Sequence, residues 1–325
     1  MKKIIALALS VVMALSLVAC GGGETVETHE LKMGRVLGAA HGTKCFASVY
    51  AVVEGDKVVA AKIDEYQFMS GDELISVPNA ENYVASLADG VKLVSKRVDT
   101  AVYSNNMATK AGSTVAIDKN YDAIEAHVAG KTIADLEAEI AGELAADAVA
   151  GSTLVDNAGY IGVIIEAAKA AQAAEAVTYE GSLDALTLKY GHGAAHGTKC
   201  FAEVAVLTDG TNVVLAHIDE YQFMSGDELI SVPNAENYVA SLADGVKLVS
   251  KRVDTAVYSN NMATKAGSTV AIDKNYDAIQ AHVNGKAIAD LETEIAGELA
   301  ADAVAGSTLV DNAGYIGVVV AVAKA

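Results

Sequence analysis

Tryptophan is absent from the 325 residues, phenylalanine occurs four times, and aromatic residues make up only 5% of the chain. With 52% of residues apolar, alanine and valine carry the hydrophobic content instead. That composition supports packed cores of Ala-rich helices and Val-rich strands and excludes wholesale disorder. Basic residues are scarce as well: 23 Lys and Arg stand against 42 Asp and Glu, a net charge of −19. So acidic a surface repels phosphate, which excludes a nucleic-acid-binding role. Three cysteines cannot build a disulfide framework, and no C-x-x-C pair is present to start a zinc module. No G-x-S-x-G, H-E-x-x-H or P-loop occurs, so hydrolase and nucleotide-hydrolysing readings lack support. Beyond residue 20, no apolar run is long enough to span a bilayer; residues 315–322 read as a core helix.

What is present begins with a leader. Lys2 and Lys3 form a positive start, residues 4–18 an apolar run, and Leu17-Val18-Ala19-Cys20 precedes Gly21-Gly22-Gly23. This resembles a bacterial lipoprotein signal, which implies cleavage before Cys20 and diacyl lipid on its thiol, enough for stable anchoring. Losing Lys2 and Lys3 takes the net charge from −19 to −21. The expected organisation is a signal peptide over 1–19, a lipidated cysteine with a flexible tether over 20–28, and two domains over 29–177 and 178–325.

Those two domains are a tandem repeat. Residues 41–163 align with 196–318 without a gap at an offset of 155, and 63–124 is identical to 218–279. Of the 14 differing positions, ten fall between residues 48 and 62, which marks that segment as a tolerant part of the fold. A period this long means tandem globular domains rather than a solenoid. Residues 179–182 are the expected joint between them.

Within a copy, residues 43–53 and 57–66 have strand composition around a Glu54-Gly55-Asp56 turn, with Asp209-Gly210 at the second turn. Helical patterns follow at 80–88, 99–110 and 121–128, the last starting behind Asp118 and ending at Gly130. Thr132-Ile133-Ala134-Asp135 resembles a capping box, lost in the second copy where Ala287 replaces the threonine. A final helix is expected over 157–174. A β-hairpin followed by several helices predicts an α+β fold.

The segment with chemical content is Asp147-Ala148-Val149-Ala150-Gly151-Ser152-Thr153-Leu154, repeated from Asp302 to Leu309 with Gly306, Ser307 and Thr308. Lying between helical patterns, it is a loop that delivers Thr153 just ahead of a helix N-terminus, where free amides and the helix dipole favour a phosphate. It resembles the Asp-x-x-(Ser/Thr/Ala)-Gly-(Ala/Ser)-Thr signature of covalent FMN attachment. Together with the lipobox, the tandem copies, Asp64-Glu65-Tyr66-Gln67-Phe68 and Tyr103-Ser104-Asn105-Asn106-Met107, the chain is similar to flavinylated FMN-binding-domain surface lipoproteins of Gram-positive bacteria. The resemblance implies that a flavin transferase links FMN through its phosphate to Thr153 and Thr308, two per chain. Asp147, Gly151, Ser152, Asp302, Gly306 and Ser307 are then the recognition residues. It also implies an extracellular, membrane-anchored electron carrier, taking electrons from a quinol-linked donor and passing them to soluble or mineral acceptors such as ferric iron. The common motif has Ala where this chain has Ser152 and Ser307, so a second hydroxyl competes as acceptor. Ala111-Gly112-Ser113-Thr114 repeats the same four letters without the preceding Asp and reads as a structural loop or pocket wall.

Other residues carry weaker expectations. Phe46, Tyr66, Phe68 and Tyr103, with their copies Phe201, Tyr221, Phe223 and Tyr258, could stack on a flavin ring or be core. Asp72, Glu73, Lys96 and Arg97 read as solvated surface, with Lys96 and Arg97 alternatively offering a cation to the flavin. His41 with Cys45, and His196 with Cys200, offer too few ligands for a metal and read as structural; the two cysteines are expected buried, or paired with each other. No side chain stands out as a catalytic acid or base. A surface flavoenzyme reductase and a flavin-free binding or adhesion lipoprotein therefore remain as alternatives.

Overall fold

The computed structural model describes residues 26–145, 147–297, 299–300 and 302–325. The leader, Cys20 and most of the expected tether lie outside the described residues. The first copy opens with β1 (Thr28–Gly38), followed by a hairpin of β2 (Cys45–Glu54) and β3 (Lys57–Ser70). A short helix α1 (Ala80–Tyr83) leads to β4 (Val91–Ser95). Four helices complete the copy: α2 (Thr100–Ala111), α3 (Ile117–Val128), α4 (Ile133–Ile140) and α5 (Asn157–Gln172). After β5 (Val177–Glu180), the second copy repeats the plan. Its strands are β6 (Thr187–Gly193), β7 (Cys200–Thr208), β8 (Val213–Ser225) and β9 (Val246–Ser250), with α6 (Ala235–Tyr238) before β9. Its helices continue as α7 (Thr255–Ala266), α8 (Ile272–Val283), α9 (Ile288–Ala296) and α10 (Asn312–Lys324). The class is α+β, with two antiparallel sheets ordered β4-β3-β2-β1-β5 and β6-β7-β8-β9.

Both faces of each sheet are covered, and the side-chain period of two separates them. In β2, Ala47, Val49, Ala51 and Val53 join Ile124, Tyr160, Ile161 and Ile164 of the overlying helices in one core. The alternate residues Phe46, Tyr50 and Val52 point the other way and pack with residues of the second sheet. In β7, Phe201, Ala205 and Leu207 do the same from the opposite side. The order of layers is therefore helices, sheet, sheet, helices.

The contact between copies is isologous, each patch meeting its own equivalent. Asn79 Nδ2 donates to Cys200 O at 2.7 Å, and Asn234 Nδ2 donates to Cys45 O at 2.7 Å. Ala88 N donates to Ser241 O and Ala243 N to Ser86 O, both at 2.9 Å. Phe68 packs on Tyr238 and Phe223 on Tyr83, with ring centroids 4.8 and 4.7 Å apart.

Several expectations change. Position 48 is buried beside its counterpart 203, and with Tyr50 and Val52 it puts one face of the segment that looked tolerant into the seam between copies. On a twofold axis identical residues meet, and two glutamates there would repel each other. Ser48 opposite Glu203 avoids this and gives the carboxylate a donor. The expected joint is not a free linker, because β5 pairs with β1 as the fifth strand of the first sheet, Tyr179 opposite His29. The boundary drawn after residue 177 thus falls at the start of a strand belonging to the first sheet. Strands β1 and β4 had no expectation. Asp118 lies in the first turn of α3 rather than capping it. Thr132 does cap α4, accepting from Asp135 N at 3.1 Å, and Ala287 leaves α9 without a side-chain cap.

Candidate functional site

The loop over residues 147–156 is held by one side chain that sequence reasoning did not single out. Asn120 is fully buried on α3 and its Nδ2 donates to Val115 O and Ala116 O, which fixes the amide's orientation. Its Oδ1 then accepts from Thr153 N at 2.6 Å, and from Thr153 Oγ1 and Ser152 Oγ at 3.2 Å each. Gly151 turns the chain at φ +89°, a left-handed conformation that disfavours side chains, while a Cβ there would meet only Ala123 Cβ at 3.5 Å. Its role is the turn, not close approach.

Adjacent hydroxyls end in opposite environments. Ser152 is buried, and its one hydroxyl proton is shared between Asn120 Oδ1 and the nearer Asn157 Oδ1, at 2.7 Å. Thr153 is exposed. Its Oγ1 lies 3.3 Å from Ser113 Oγ, so the two Ala-Gly-Ser-Thr loops stand side by side. Together they rim a cavity of about 320 Å³ lined by Tyr103, Met107, Thr114, Leu154, Tyr160 and Lys96, among others. Apolar walls with a few polar groups suit a small organic ligand. His41 and Asp156 also line it, with His41 Nδ1 2.5 Å from Asp156 Oδ2. Asp156 occupies the N-cap position of α5 but its carboxylate serves His41 rather than the helix amides.

Lys96, expected on the surface, is fully buried and ion-paired with Glu65. Its Nζ lies 4.4 Å from the centroid of the Tyr103 ring. Burial alone would lower its proton affinity; the Glu65 carboxylate, with Cys45 and Tyr103, raises it above the ordinary lysine range. Glu65 is further satisfied by Tyr121 OH and Tyr160 OH at 3.0 Å each and by Cys45 Sγ at 3.2 Å. Cys45 and Cys200 are free thiols, and burial pushes each up to about 12, so neither is a reactive nucleophile. Arg97 is spent on Asp122 and Glu125.

The second copy repeats these hydrogen bonds and the ion pair. Thr308 N donates to Asn275 Oδ1 at 2.7 Å, Thr308 Oγ1 lies 3.2 Å from Ser268 Oγ, and Lys251 pairs with Glu220. Ser307 Oγ donates to Asn312 Oδ1 at 2.7 Å.

The structure thus brings Thr153, Ser152 and Gly151 together with Ser113, Thr114, Tyr103 and Met107. Asp147 and Asp302 are exposed, and Asp147 is not among the cavity's lining residues. Tyr66, Phe68, Tyr221 and Phe223 lie at the seam between copies, in a cluster that includes Phe46 and Phe201, and not in the cavity. Among the described residues, no three His, Cys, Asp or Glu side chains converge to hold a metal ion, and no helix is long and apolar enough to cross a membrane. Comparison with protein families, with curated proteins and with solved structures finds no match.

Proposed function

We propose that the protein is a lipid-anchored extracellular electron carrier with FMN attached covalently to Thr153 and Thr308. One observation supports this above others: of two adjacent hydroxyls in the motif, Ser152 is buried and engaged, while Thr153 is exposed at the rim of an apolar cavity. Attachment forms a phosphoester between Thr153 Oγ1 and the FMN phosphorus. A flavin phosphoanhydride supplies the FMN, its nucleotide monophosphate leaves, and the flavin transferase takes the hydroxyl proton. Asp147 is exposed, which suits recognition by that enzyme. The residues lining the cavity fit the group. Tyr103, Tyr160, Met107 and Leu154 offer apolar and aromatic walls, Thr114 offers a hydroxyl, and Lys96 sets a positive charge beside the Tyr103 ring. When bound, the flavin supplies one- and two-electron chemistry that joins a quinol-linked donor to acceptors such as ferric iron. A covalent link prevents loss of the cofactor outside the cell.

Intact mass and in-gel flavin fluorescence, on protein produced with an active flavin transferase, test this reading. Two FMN-sized additions are expected, one lost in Thr153→Ala and the other in Thr308→Ala. An unmodified mass, beside a modified control substrate, overturns it.

The hydrogen-bonded His41 and Asp156 in the same cavity favour a second reading, a surface flavoenzyme reductase with its own organic acceptor. It requires saturable, substrate-specific turnover that His41→Gln abolishes without loss of FMN.

A further inference from the structure

The least economical feature of each copy is an ion pair with both side chains fully buried: Lys96 with Glu65 and Lys251 with Glu220. Taking two charges out of water costs several kcal/mol per ion, and such a pair is weak evidence of a stabilising role. Its two ends differ. The Glu65 carboxylate accepts from Tyr121, Tyr160 and Cys45 as well as Lys96, so its charge is shared among protein donors. Lys96 hydrogen-bonds Glu65 and lies over the Tyr103 ring, and it lines the cavity rimmed by Thr153. Its Nζ is fully buried beside the Tyr103 ring, so its charge acts on the cavity through space in a poorly screened interior and not by a hydrogen bond to what the cavity holds.

We infer that Lys96, and Lys251 in the second copy, is the fixed cation that raises the reduction potential of the flavin held on the neighbouring threonine. This rests on the flavin reading above. A flavin gains negative charge on reduction, and a positive charge in a water-poor site favours the reduced form. Because Glu65 keeps the ammonium protonated, the charge is present across the physiological pH range.

The test uses the full chain carrying Thr308→Ala, so that only the first flavin is read. Intact mass is recorded first, then the midpoint potential by spectroelectrochemical titration. Lys96→Met combined with Glu65→Gln removes both charges together and strands neither. Its midpoint is expected to fall by at least the equivalent of a tenfold change in the two-electron equilibrium, about 30 mV. Lys96→Arg is expected to keep the wild-type value within that margin. An unchanged midpoint in a fully loaded Lys96→Met/Glu65→Gln protein overturns the inference while leaving the carrier reading intact. Absence of FMN from the Thr308→Ala parent overturns both. Should the double substitution fail to load, sulfite decides on the parent, because its adduct places negative charge on the ring. Bleaching at sulfite concentrations at least tenfold below those needed for free FMN supports the cation, and equal concentrations overturn it.

Discussion

The Arg35 guanidinium of the first copy meets the Glu203 carboxylate of the second at 3.1 Å, in an interior where their side chains are 4% and 0% exposed. Arg35 also pairs with Asp219, and Glu203 accepts from the hydroxyls of Ser48, Tyr50, Tyr66, Tyr190 and Tyr221. Burial alone would raise the Glu203 carboxyl; Arg35 and the hydroxyl donors hold it below the usual range instead. Neither residue is matched in the other copy, where Tyr190 and Ser48 stand at the equivalent positions. The duplicated sheets are thus joined by a polar knot that only the pair can form.

Removing the cation should therefore leave two buried carboxylates uncompensated. Arg35→Met is expected to lower unfolding free energy by about 3–5 kcal/mol. Urea denaturation of the full chain measures it, and a change below about 1 kcal/mol would show that the seam tolerates unpaired charge.

Asn120 supplies a second prediction, about the attachment loop. It accepts from both Thr153 N and Thr153 Oγ1, and a small misplacement of a reacting group costs much of its rate. In Asn120→Ala, FMN incorporation at Thr153 should slow by roughly tenfold or more. Thr308, held by the untouched Asn275, is the internal control. Peptide mass mapping over a time course reads both sites, and equal rates at the two would remove Asn120 from the argument.

How much of this was legible depends on the range of the interactions. The β2–β3 hairpin was readable because β-branched runs flank a glycine turn, and Gly55 does sit there at φ +63°. Strand β1 was not, because glycines interrupt it; Gly34 is needed where a Cβ would lie 2.2 Å from Ala171 N of α5. Local spacing marked Thr153, but nothing local shows that Ser113, 40 residues away, would meet it. The seam misled for a physical reason. Divergence between copies suggested tolerance at 48–62, yet positions 48, 50 and 52 lie near a twofold, where residues diverge when identical side chains cannot face each other. Lys96 looked like surface because its partner, Glu65, is 31 residues distant.

Close approach gives a third prediction. A Cβ at Gly159, in the first turn of α5, would lie 2.3 Å from Ala40 O, next to His41. Gly159→Ala should destabilise by about 1–3 kcal/mol through overpacking. Thermal unfolding checks it, and an unchanged midpoint would mean that the segment at residue 40 yields freely.

A partly buried histidine gives the last prediction, a pH dependence. His217 occupies the position of Lys62 in the first copy, its Nδ1 has no partner, and its ring meets Tyr50 edge-on at 5.4 Å. Burial first, then the positive charges of Arg252 and Arg35, push its proton affinity well below the ordinary value of 6.5. The folded protein therefore keeps the imidazole neutral while the unfolded chain binds a proton, so the unfolded state gains as pH falls. Its contribution is complete above pH 6.5 and is lost as pH drops toward the folded-state value. Between pH 7.5 and 5.5, wild type should lose about 1.4 kcal/mol more stability than His217→Gln, most of it below about pH 6.5. His192, also depressed by burial, contributes the same slope to both proteins and cancels. Urea unfolding at the two pH values measures the difference, and parallel slopes would show that His217 protonates in place.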